Sequence, residues 1–386
     1  MIRRIHLIAT EESGDRLGSA LMRELKQRFG DDVAFAGVGG SSMAREGLRS
    51  LFPIEQLSII GLAAVVRKLP SILKLIGQAT EDVLQAKPDV LVIIDSPDFT
   101  HRVAKRVRQR DPSIPIVNYV SPTVWAWRPG RAKAMRAYVD HVLALLPFEP
   151  EAHRRLDGPP CTYVGHPLIE QIDTLRPGAD EQARRDGKPP VLLVLPGSRR
   201  GEIRHHMETF GATLDLLRQR GAEFELILPT MPHLVDGIAA ALTSWPVQPR
   251  VVVGEAEKRA AFRIAHAAFA KSGTVTLELA LSGVPMVTAY KAGSIEAWII
   301  RRRITSSSVI LANLVIGENV IPEFIQEDCT PEKLAASLQE VLADTPMRRR
   351  QIAAMAMLDG IMGIGRAEPS GAAADVIVGL LEQARH

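Results

Sequence analysis

The second half of the chain opens on Val191-Leu192-Leu193-Val194-Leu195-Pro196-Gly197-Ser198-Arg199-Arg200-Gly201-Glu202, where aliphatic residues run up to a proline and a glycine. Such a short apolar run predicts a strand that is buried on both faces, and the residues after the turn have helical periodicity. A buried strand, a tight turn and a helix form the repeating unit of folds with parallel sheets. The stretch therefore indicates an α/β protein.

The same unit recurs on both sides of this stretch. Strands are expected at 5–9, 33–37, 90–94, 114–119 and 142–145, and then at 191–195, 224–228, 251–253, 267–270 and 285–288. The segments between them, such as 16–28, have the periodicity of helices. The two groups of strands predict two doubly wound, Rossmann-like sheets.

The length of 386 residues exceeds what one hydrophobic core commonly supports. We expect a first domain over 1–170, a polar linker over 171–190 and a second domain over 191–346. The final stretch, 347–386, lacks a strand pattern and is expected to form helices that pack back on the first domain. The carboxyl ends of the strands are expected to face a shared cleft, where ligands of such sheets bind.

The composition restricts the class of protein. Hydrophobic residues make up 46% of the chain and charged residues 24%, as in a globular protein, and a net charge of +3 does not favour nucleic-acid binding. Cys161 and Cys329 are too far apart in sequence to suggest a disulfide framework or a zinc site, which favours a cytoplasmic protein. No apolar run reaches the roughly 20 residues of a spanning helix, so any membrane contact is expected to be peripheral.

The loop after the strand at 191–195 has the features of an anion site. Gly197 lets the backbone approach a phosphate, Ser198 and the next residues begin a helix with free amides, and Arg199 can form a charge-assisted contact. The alternative is a turn that carries a solvated arginine pair. Neither this loop nor the next matches the dinucleotide or P-loop fingerprints, which disfavours nicotinamide and ATP chemistry.

A second loop, Lys271-Ser272-Gly273-Thr274-Val275-Thr276-Leu277-Glu278, follows the strand at 267–270 and enters a helix. The start of that helix would favour a diphosphate. Glu278 lies one turn further along, where it could accept hydrogen bonds from a ribose diol. Ser272 or Thr274 could instead serve only as the N-cap of the helix.

In the first domain, Ile94-Asp95-Ser96-Pro97-Asp98-Phe99 follows the most apolar strand. Asp95 or Ser96 before a proline suggests an N-cap followed by proline at the first helical position. Asp98 would then lie in the first turn. There it could act as a catalytic carboxylate, or simply complement the helix dipole, and the residues alone do not decide between the two.

Three further features have two interpretations each. Trp125 and Trp127, followed by Arg128, could face a sugar or an acyl chain, or pack between helices. His166 could contact a ligand or cap a turn. The apolar stretch 57–76 carries only cationic charges, so Val65, Val66, Leu69 and Leu73 could meet an anionic membrane, or the stretch could be a core helix interrupted at Pro70.

Taken together, these motifs resemble the lipid-A-disaccharide synthase family over nearly the whole chain. The order and spacing of the family are matched by Glu12-Ser13-Gly14-Asp15, Asp95-Ser96-Pro97-Asp98-Phe99, Tyr119-Val120-Ser121-Pro122, Val124-Trp125-Ala126-Trp127-Arg128, Leu146-Pro147-Phe148-Glu149, Gly165-His166-Pro167, Leu195-Pro196-Gly197-Ser198-Arg199 and Ser272-Gly273-Thr274. The family is similar to inverting glycosyltransferases of the two-domain GT-B type. The resemblance depends on the order in which these motifs follow one another, since no single motif would be specific.

The resemblance implies a reaction and a set of roles. UDP-2,3-diacylglucosamine would condense with 2,3-diacylglucosamine 1-phosphate to give UDP and a β-1,6-linked lipid A precursor, without a metal or another cofactor. Asp98, which matches the catalytic aspartate of the family, would be the general base. The UDP donor would contact Ser198, Arg199, Ser272, Gly273, Thr274, Glu278, Asn313, Glu323 and Gln326. The acceptor side of the cleft would include Ser13, Gly14, Asp15, Trp127, Arg128 and His166.

The implied substrates carry acyl chains, so the resemblance places the protein in the cytoplasm, peripherally on the anionic inner membrane. The sequence leaves open whether two copies form a homodimer. The chain departs from the family at Glu12, where threonine is common, and at Lys271, where alanine is common; a lysine there could add charge beside the phosphate loop. The segment 254–258 matches poorly, so the uracil contacts stay unassigned.

Two other classes of function remain as alternatives. One is another UDP-sugar enzyme of the same architecture, such as the transferase that acts on the lipid-linked peptidoglycan precursor or a UDP-N-acetylglucosamine 2-epimerase. The other is a lipid- or nucleotide-binding protein that keeps the fold without catalysis. The tryptophan segment and the apolar stretch 57–76 disfavour the first alternative, and Asp98 disfavours the second.

Overall fold

The computed structural model describes residues 2–57, 62–291, 293 and 308–383, and for 62–68 it describes only the backbone. The side chains of Val65 and Val66 therefore lie outside the described part. Contacts divide the chain into two units, one made of Met1–Glu170 with Gly365–His386 and the other of Gln171–Ile364.

The first unit is built on a parallel sheet of six strands among its described residues, in the order β2-β1-β3-β4-β5-β6. The strands are β1 (Arg3–Ala9), β2 (Val33–Val38), β3 (Val90–Ile94), β4 (Ile116–Tyr119), β5 (His141–Ala144) and β6 (Cys161–Tyr163). The helices are α1 (Glu12–Phe29), α2 (Ser41–Arg45), α3 (Leu62–Ala86), α4 (Pro97–Arg110), α5 (Gly130–Met135) and α6 (Glu149–Arg155).

Side chains that alternate along the strands build a core on each face of this sheet. Leu91 and Ile93 of β3 pack in one cluster with α3 and α4, whereas Val92 and Ile94 pack in a second cluster with α1. Every residue of β3 is buried, because helices cover both faces of a central parallel strand. The first unit is thus doubly wound, as predicted.

The second unit contains another six-stranded parallel sheet in its described part, in the order β12-β11-β10-β7-β8-β9. Its strands are β7 (Val191–Leu195), β8 (Glu225–Thr230), β9 (Arg250–Val253), β10 (Ala267–Lys271), β11 (Met286–Tyr290) and β12 (Glu323–Ile325). Its helices are α7 (Ile172–Leu175), α8 (Ala179–Asp186), α9 (Arg200–Gln219), α10 (Val235–Leu242), α11 (Glu255–Ile264), α12 (Val275–Leu281), α13 (Leu311–Ile316), α14 (Pro331–Leu342), α15 (Pro346–Ala356) and α16 (Leu358–Met362).

The last helix, α17 (Pro369–Gln383), belongs to the first unit. Its buried Ile377 and Leu381 join the apolar cluster that contains α1. Arg28 of α1 donates to Asp375 at 2.8 Å and to the carbonyl of Gly371 at 3.0 Å. Among the described residues, no helix combines the length and the apolarity needed to cross a membrane.

The α/β class and the two sheets confirm the prediction, but three details differ from it. The edge strands β6 and β12 were not expected, since each spans three half-buried residues without an apolar run. The segment 171–190 is not a separate linker, because α7 and α8 lie within the second unit. Likewise, α15 and α16 stay with the second unit, and only the chain after Gly365 returns to the first.

Arg185 explains why the polar segment 171–190 is fixed in place. Its side chain is buried and donates to the carbonyl oxygens of Ser282 at 2.9 Å, Phe262 at 2.9 Å and Arg263 at 3.1 Å. These carbonyls lie at the carboxyl ends of α11 and α12, where a cation is electrostatically favoured. Burial lowers the pKa of Arg185 to about 10, so the residue remains charged at neutral pH.

We predict that Arg185→Met lowers the free energy of unfolding by about 3 kcal/mol, because buried carbonyls lose their donors. Chemical denaturation measures the loss. The matched control is Arg184→Met, whose partner Glu225 is partly exposed, and its cost should stay below about 1 kcal/mol. Equal costs for the two variants would contradict an anchoring role of Arg185.

Candidate functional site

Each sheet has one point at which its strand order reverses, between β1 and β3 in the first unit and between β7 and β10 in the second. The paired strands end together there, since Ala9 lies opposite Ile94 and Leu195 lies opposite Ala270. At such a point the following loops diverge to opposite faces of the sheet and leave a crevice for ligands. Each unit has a cavity at this position.

The cavity of the second unit has a volume of about 370 Å³. It brings together the two loops that the sequence singled out, after β7 and after β10. Its polar lining consists of Ser198, Arg199, Glu202, Thr230, Lys258, Lys271, Thr274 and Glu278, with the glycines Gly197 and Gly273.

The loop after β7 is held by a carboxylate. The amide of Ser198 donates to Glu202 Oε2 at 3.0 Å, and Gly197 has a φ of 133°. A Cβ at Gly197 would lie 2.7 Å from the Glu202 side chain, so only glycine fits. Arg199 precedes α9 and keeps 84% of its side chain exposed. The guanidinium is therefore accessible to an anionic ligand.

The loop after β10 contains a buried hydroxyl without a partner among the described residues. Ser272 Oγ is buried and forms no hydrogen bond in that part of the chain. Thr274 occupies the N-cap position of α12, but its side chain makes no capping bond there. Neither hydroxyl therefore caps the helix through its side chain. A buried polar atom without a partner is costly in a folded protein unless a ligand or water satisfies it.

Three ion pairs join residues that line the cavity of the second unit. Lys271 Nζ lies 3.1 Å from Glu202 Oε1, and Lys258 Nζ lies 2.8 Å from Glu278 Oε2. The Arg199 guanidinium also lies 3.8 Å from Glu202 Oε1. Burial alone would raise the pKa of Glu202, but the charge of Lys271, the Ser198 amide and Arg199 together hold it below its usual value. Both carboxylates are thus engaged with cations in the ligand-free protein.

Sequence reasoning missed Lys258, Glu202 and Thr230. Lys258 lies on α11, in the segment that matched the family poorly. Thr230 ends β8, and its buried Oγ1 has no hydrogen-bond partner among the described residues. Their shared signal is position: Glu202 follows β7, Thr230 ends β8 and Lys258 follows β9. All three therefore lie beyond the carboxyl ends of adjacent parallel strands, at the edge of the sheet where ligands bind.

The residues predicted to close on the donor do not line this cavity. Asn313 Nδ2 donates to the carbonyl of Ile321 at 2.9 Å and to Glu323 Oε1 at 3.1 Å, and Asn313 Oδ1 accepts from the Ile321 amide at 3.0 Å. Glu323 Oε2 also accepts from the Val309 amide at 3.0 Å. Both side chains therefore hold a turn. Gln326 differs, since its buried Nε2 has no hydrogen-bond partner within the part of the chain that the structure describes.

The cavity of the first unit has a volume of about 430 Å³ and a mixed lining. Its charged lining residues are Glu11, Asp95, Asp98 and Arg102. Its apolar lining includes Leu57, Leu69 and Ile72. A ligand that joins a polar head to an acyl chain would match both kinds of side chain.

Asp98 and Asp95 lie in very different surroundings. The Asp98 side chain is 91% exposed, and its Oδ1 lies 3.6 Å from the Arg131 guanidinium. Asp95 is partly buried, and its Oδ1 accepts from the Ser96 amide at 2.7 Å. Burial raises the pKa of Asp95; the Ser96 amide opposes this rise and the charge of Glu11 adds to it. Asp98 is therefore the more accessible of these two carboxylates.

Asp95 and Ser96 do not cap α4 in the predicted way. Their φ angles of 52° and 45° are left-handed, and the Ser96 side chain makes no capping bond but donates to Glu11 Oε1 at 3.0 Å. Two successive non-glycine residues in this region are strained, and such strain clusters at functional sites. The strained turn links the ends of β1 and β3.

The motif Ser13-Gly14-Asp15 has a structural role in the first unit. Asp15 is buried and accepts from the amides of Gly40 at 2.7 Å, Ser42 at 2.8 Å and Met43 at 3.0 Å. It therefore holds the start of α2 and has no free oxygen for an acceptor. Gly14 is buried in the first turn of α1, whereas Ser13 is exposed but does not line the cavity.

The other predicted acceptor residues also have protein partners. Trp127 Nε1 donates to Thr123 Oγ1 at 2.9 Å, and the Arg128 guanidinium lies 4.3 Å from the Trp127 ring centroid. Trp125 Nε1 donates to the buried Glu149 at 3.1 Å. His166 Nδ1 accepts from the Leu168 amide at 3.2 Å, and burial lowers the pKa of His166 to about 4. The capped-turn interpretation of this histidine fits better.

Comparisons with known proteins give the family of the chain. A family model described as lipid-A-disaccharide synthetase matches residues 5–368. A lipid-A-disaccharide synthase of Rhodopseudomonas palustris strain BisB18 is 72% identical, with coverage of 99% of this chain and 97% of that protein. Another from Bradyrhizobium diazoefficiens is 69% identical, with coverage of 99% and 98%.

Solved structures share the fold at low identity. A glycotransferase of kitacinnamycin has a TM-score of 0.60 at 16% identity, with coverage of 99% of this chain and 100% of that chain. A UDP-GlcNAc 2-epimerase from Neisseria meningitidis, bound to UDP-GlcNAc, has a TM-score of 0.61 at 11% identity and the same coverage. These structures establish the architecture, and the match over residues 5–368 together with the 72% identity shows that the chain belongs to the lipid-A-disaccharide synthetase family.

Proposed function

We propose that this chain condenses UDP-2,3-diacylglucosamine with 2,3-diacylglucosamine 1-phosphate, giving a β-1,6-linked disaccharide 1-phosphate and UDP. Family membership supports the reaction. The structural observation that carries it is the first-unit cavity, where the exposed carboxylate of Asp98 shares one space with the apolar side chains of Leu57, Leu69 and Ile72. A hydroxyl of the acceptor sugar can meet the carboxylate while an acyl chain of the same molecule covers these apolar side chains.

The second unit is proposed to bind the UDP part of the donor. Arg199 and the amides at the start of α9 would meet the diphosphate, together with Ser272, Gly273 and Thr274 of the other loop. Glu278 would accept from the ribose hydroxyls. Gln326, with its unpartnered amide, would add a donor, and the turn held by Asn313 and Glu323 would position it.

The proposed step is a single displacement. Asp98 takes the proton of the acceptor hydroxyl, and the acceptor oxygen forms a bond to the anomeric carbon of the donor. The bond from that carbon to the β-phosphate oxygen breaks, and its electron pair leaves with UDP. Attack opposite to the leaving group inverts the anomeric centre. Charge that grows on the diphosphate is stabilised by Arg199 and backbone amides, with no metal or organic cofactor in the proposed step.

We also propose that the protein works peripherally on the anionic inner membrane. Leu69 and Leu73 of α3 keep 43% and 38% of their surface exposed, and Lys74 beside them is exposed. Further along the same helix, Leu75 and Ile76 are buried in the core. The helix therefore joins a core part to an exposed apolar and cationic part, a combination that suits the headgroup region of anionic lipid.

The decisive experiment supplies the purified protein with both acylated substrates and detects products by mass spectrometry. Formation of the disaccharide with one UDP per disaccharide supports the proposal. Conversion of a UDP-sugar without an acceptor would indicate an epimerase instead. Binding of both substrates without any product would indicate a protein that keeps the fold without catalysis.

We predict that Asp98→Asn lowers turnover by about 100-fold or more, because the amide cannot accept the proton. Steady-state kinetics and UDP calorimetry test this, and the UDP dissociation constant should stay within about twofold of the parent value. The matched control is Asp95→Asn in the same turn, which should change mainly the unfolding midpoint. Turnover of Asp98→Asn near the parent value would remove Asp98 from catalysis.

We predict that Arg199→Ala and Glu278→Ala each weaken UDP binding by about tenfold, through the diphosphate and the ribose respectively. Calorimetry with UDP and with uridine separates the two contacts. Glu278→Ala should also weaken uridine binding, whereas Arg199→Ala should not. Arg200→Ala is the control, because Arg200 is exposed and does not line the cavity. If both test variants bind UDP like the parent protein, the second unit is not the donor unit.

We predict that replacing Leu69 and Leu73 together by serine reduces sedimentation with anionic vesicles several-fold, because exposed apolar area is lost. The unfolding midpoint and the UDP affinity should stay unchanged. The control replaces Ile352 and Met357 by serine, since these side chains of the second unit are 43% and 52% exposed. Equal loss of vesicle binding in both variants would mean that α3 is not the specific contact.

A further inference from the structure

Lys271 is the last residue of β10, and its ammonium lies against the loop that follows. Nζ is 3.5 Å from the position that a Cβ on Gly273 would occupy, and 5.3 Å from the centroid of the Tyr290 ring. Only 16% of the side chain is exposed, and that part lines the 370 Å³ cavity. The charge therefore sits inside the second-unit cavity, next to its glycine loop.

The hydrogen-bonding capacity of this ammonium is largely unused. An ammonium has three donors, and within the described residues Lys271 donates to Glu202 Oε1 alone, at 3.1 Å. Beside it along the chain, Ser272 Oγ is buried and has no hydrogen-bond partner among the described residues. Two neighbouring residues of this loop thus have unsatisfied donors, and the ammonium of Lys271 is the one that lines the cavity, where an anion with several oxygens can accept from it.

The residues that line the cavity carry one more positive than negative charge. Arg199, Lys258 and Lys271 supply three positive charges, and Glu202 and Glu278 supply two negative charges. Lys258 is shared between Glu278 at 2.8 Å and Glu255 at 3.0 Å. Arg199 and Lys271 lie 3.8 and 3.1 Å from one carboxylate, Glu202, so these two cations together hold an excess positive charge that a diphosphate can engage.

We propose that Lys271 binds the diphosphate of the sugar-nucleotide donor and stabilises it as it leaves, and that Glu202 holds the ammonium ready in the ligand-free protein. This inference rests on the proposed function and adds a residue to it. As the bond between the anomeric carbon and the phosphate oxygen breaks, the electron pair stays on the phosphate. Lys271 strengthens its hydrogen bond to that oxygen and keeps its own proton.

Glu202 connects this charge to the other phosphate-binding loop. Its Oε1 accepts from Lys271, while its Oε2 accepts from the Ser198 amide at 3.0 Å. One carboxylate therefore orients both the ammonium and the loop after β7 before a ligand arrives. Such preorganisation lowers the cost of arranging charges during the reaction.

The test compares Lys271→Met and Lys271→Arg with the parent protein by calorimetry with UDP and uridine, and by steady-state kinetics. Lys271→Met should weaken UDP binding by about tenfold to hundredfold and lower kcat, with uridine affinity within about twofold. Lys271→Arg should recover most of the UDP affinity, because the charge remains. Lys258→Met is the contrasting variant. It removes the ion-pair partner of Glu278 and should weaken the binding of uridine and of UDP to the same extent.

A purely structural role of Lys271 would consist in neutralising Glu202, and the double variant Glu202→Gln with Lys271→Met separates the two roles. The glutamine carbonyl can still accept from the Ser198 amide, the buried ammonium and its carboxylate are removed together, and Arg199, which also loses this carboxylate, is exposed to solvent. Low UDP affinity of the double variant supports the diphosphate contact. This test still applies if the single variant Lys271→Met does not fold. Parent-like UDP affinity of the double variant, or of Lys271→Met, overturns it.

The two proposals can fail separately. If the parent protein makes disaccharide and Arg199→Ala weakens UDP binding while Lys271→Met does not, only the inference about Lys271 is wrong. If the parent protein binds UDP and makes no disaccharide, the proposed reaction is wrong, and the calorimetric comparison still decides whether Lys271 contacts the diphosphate.

Discussion

In-register parallel pairing at the two reversal points is the constraint on which both candidate sites depend. Because Leu195 lies opposite Ala270, the loops with Gly197 and Gly273 begin at the same height and diverge around one cavity. The pairing of Ala9 with Ile94 does the same for Glu11 and Asp95. A shift of one residue in either pair would turn every side chain of a strand to the other face and separate these loops.

Partly buried carboxylates organise both cavities before any ligand is present. Glu202 joins an ammonium to a loop amide, Glu278 pairs with Lys258, and Asp95 accepts from the amide that follows it. Such groups are expensive to leave unpaired, so they hold the loops in defined positions. Asp98 differs because it is exposed, and this contrast in surroundings supports the proposed catalytic role of Asp98 over one for Asp95.

Several motif residues hold loops through hydrogen bonds, although the sequence suggested contact with substrate. Both carboxylate oxygens of Asp15 accept from backbone amides, three in all, and Asn313 closes a turn with Ile321 and Glu323. Trp125 donates to a buried carboxylate, Glu149. A polar residue in a recurrent motif can preserve a loop shape as readily as it binds a ligand. The sequence pattern is the same in both cases, since it records the residue and not its hydrogen-bond partner.

The sequence by itself determined the α/β class, most strands, the two glycine-containing loops of the second unit and the family, because apolar runs and motif order are local properties of the chain. Only the tertiary structure decided which loops share a cavity, that α8 is anchored by Arg185, and that Lys258 and Thr230 face the same space as Arg199. The three-residue strands β6 and β12 likewise form because a neighbouring strand offers its edge. Pairing partners, burial and hydrogen bonds join residues that are far apart along the chain, and no local pattern encodes them.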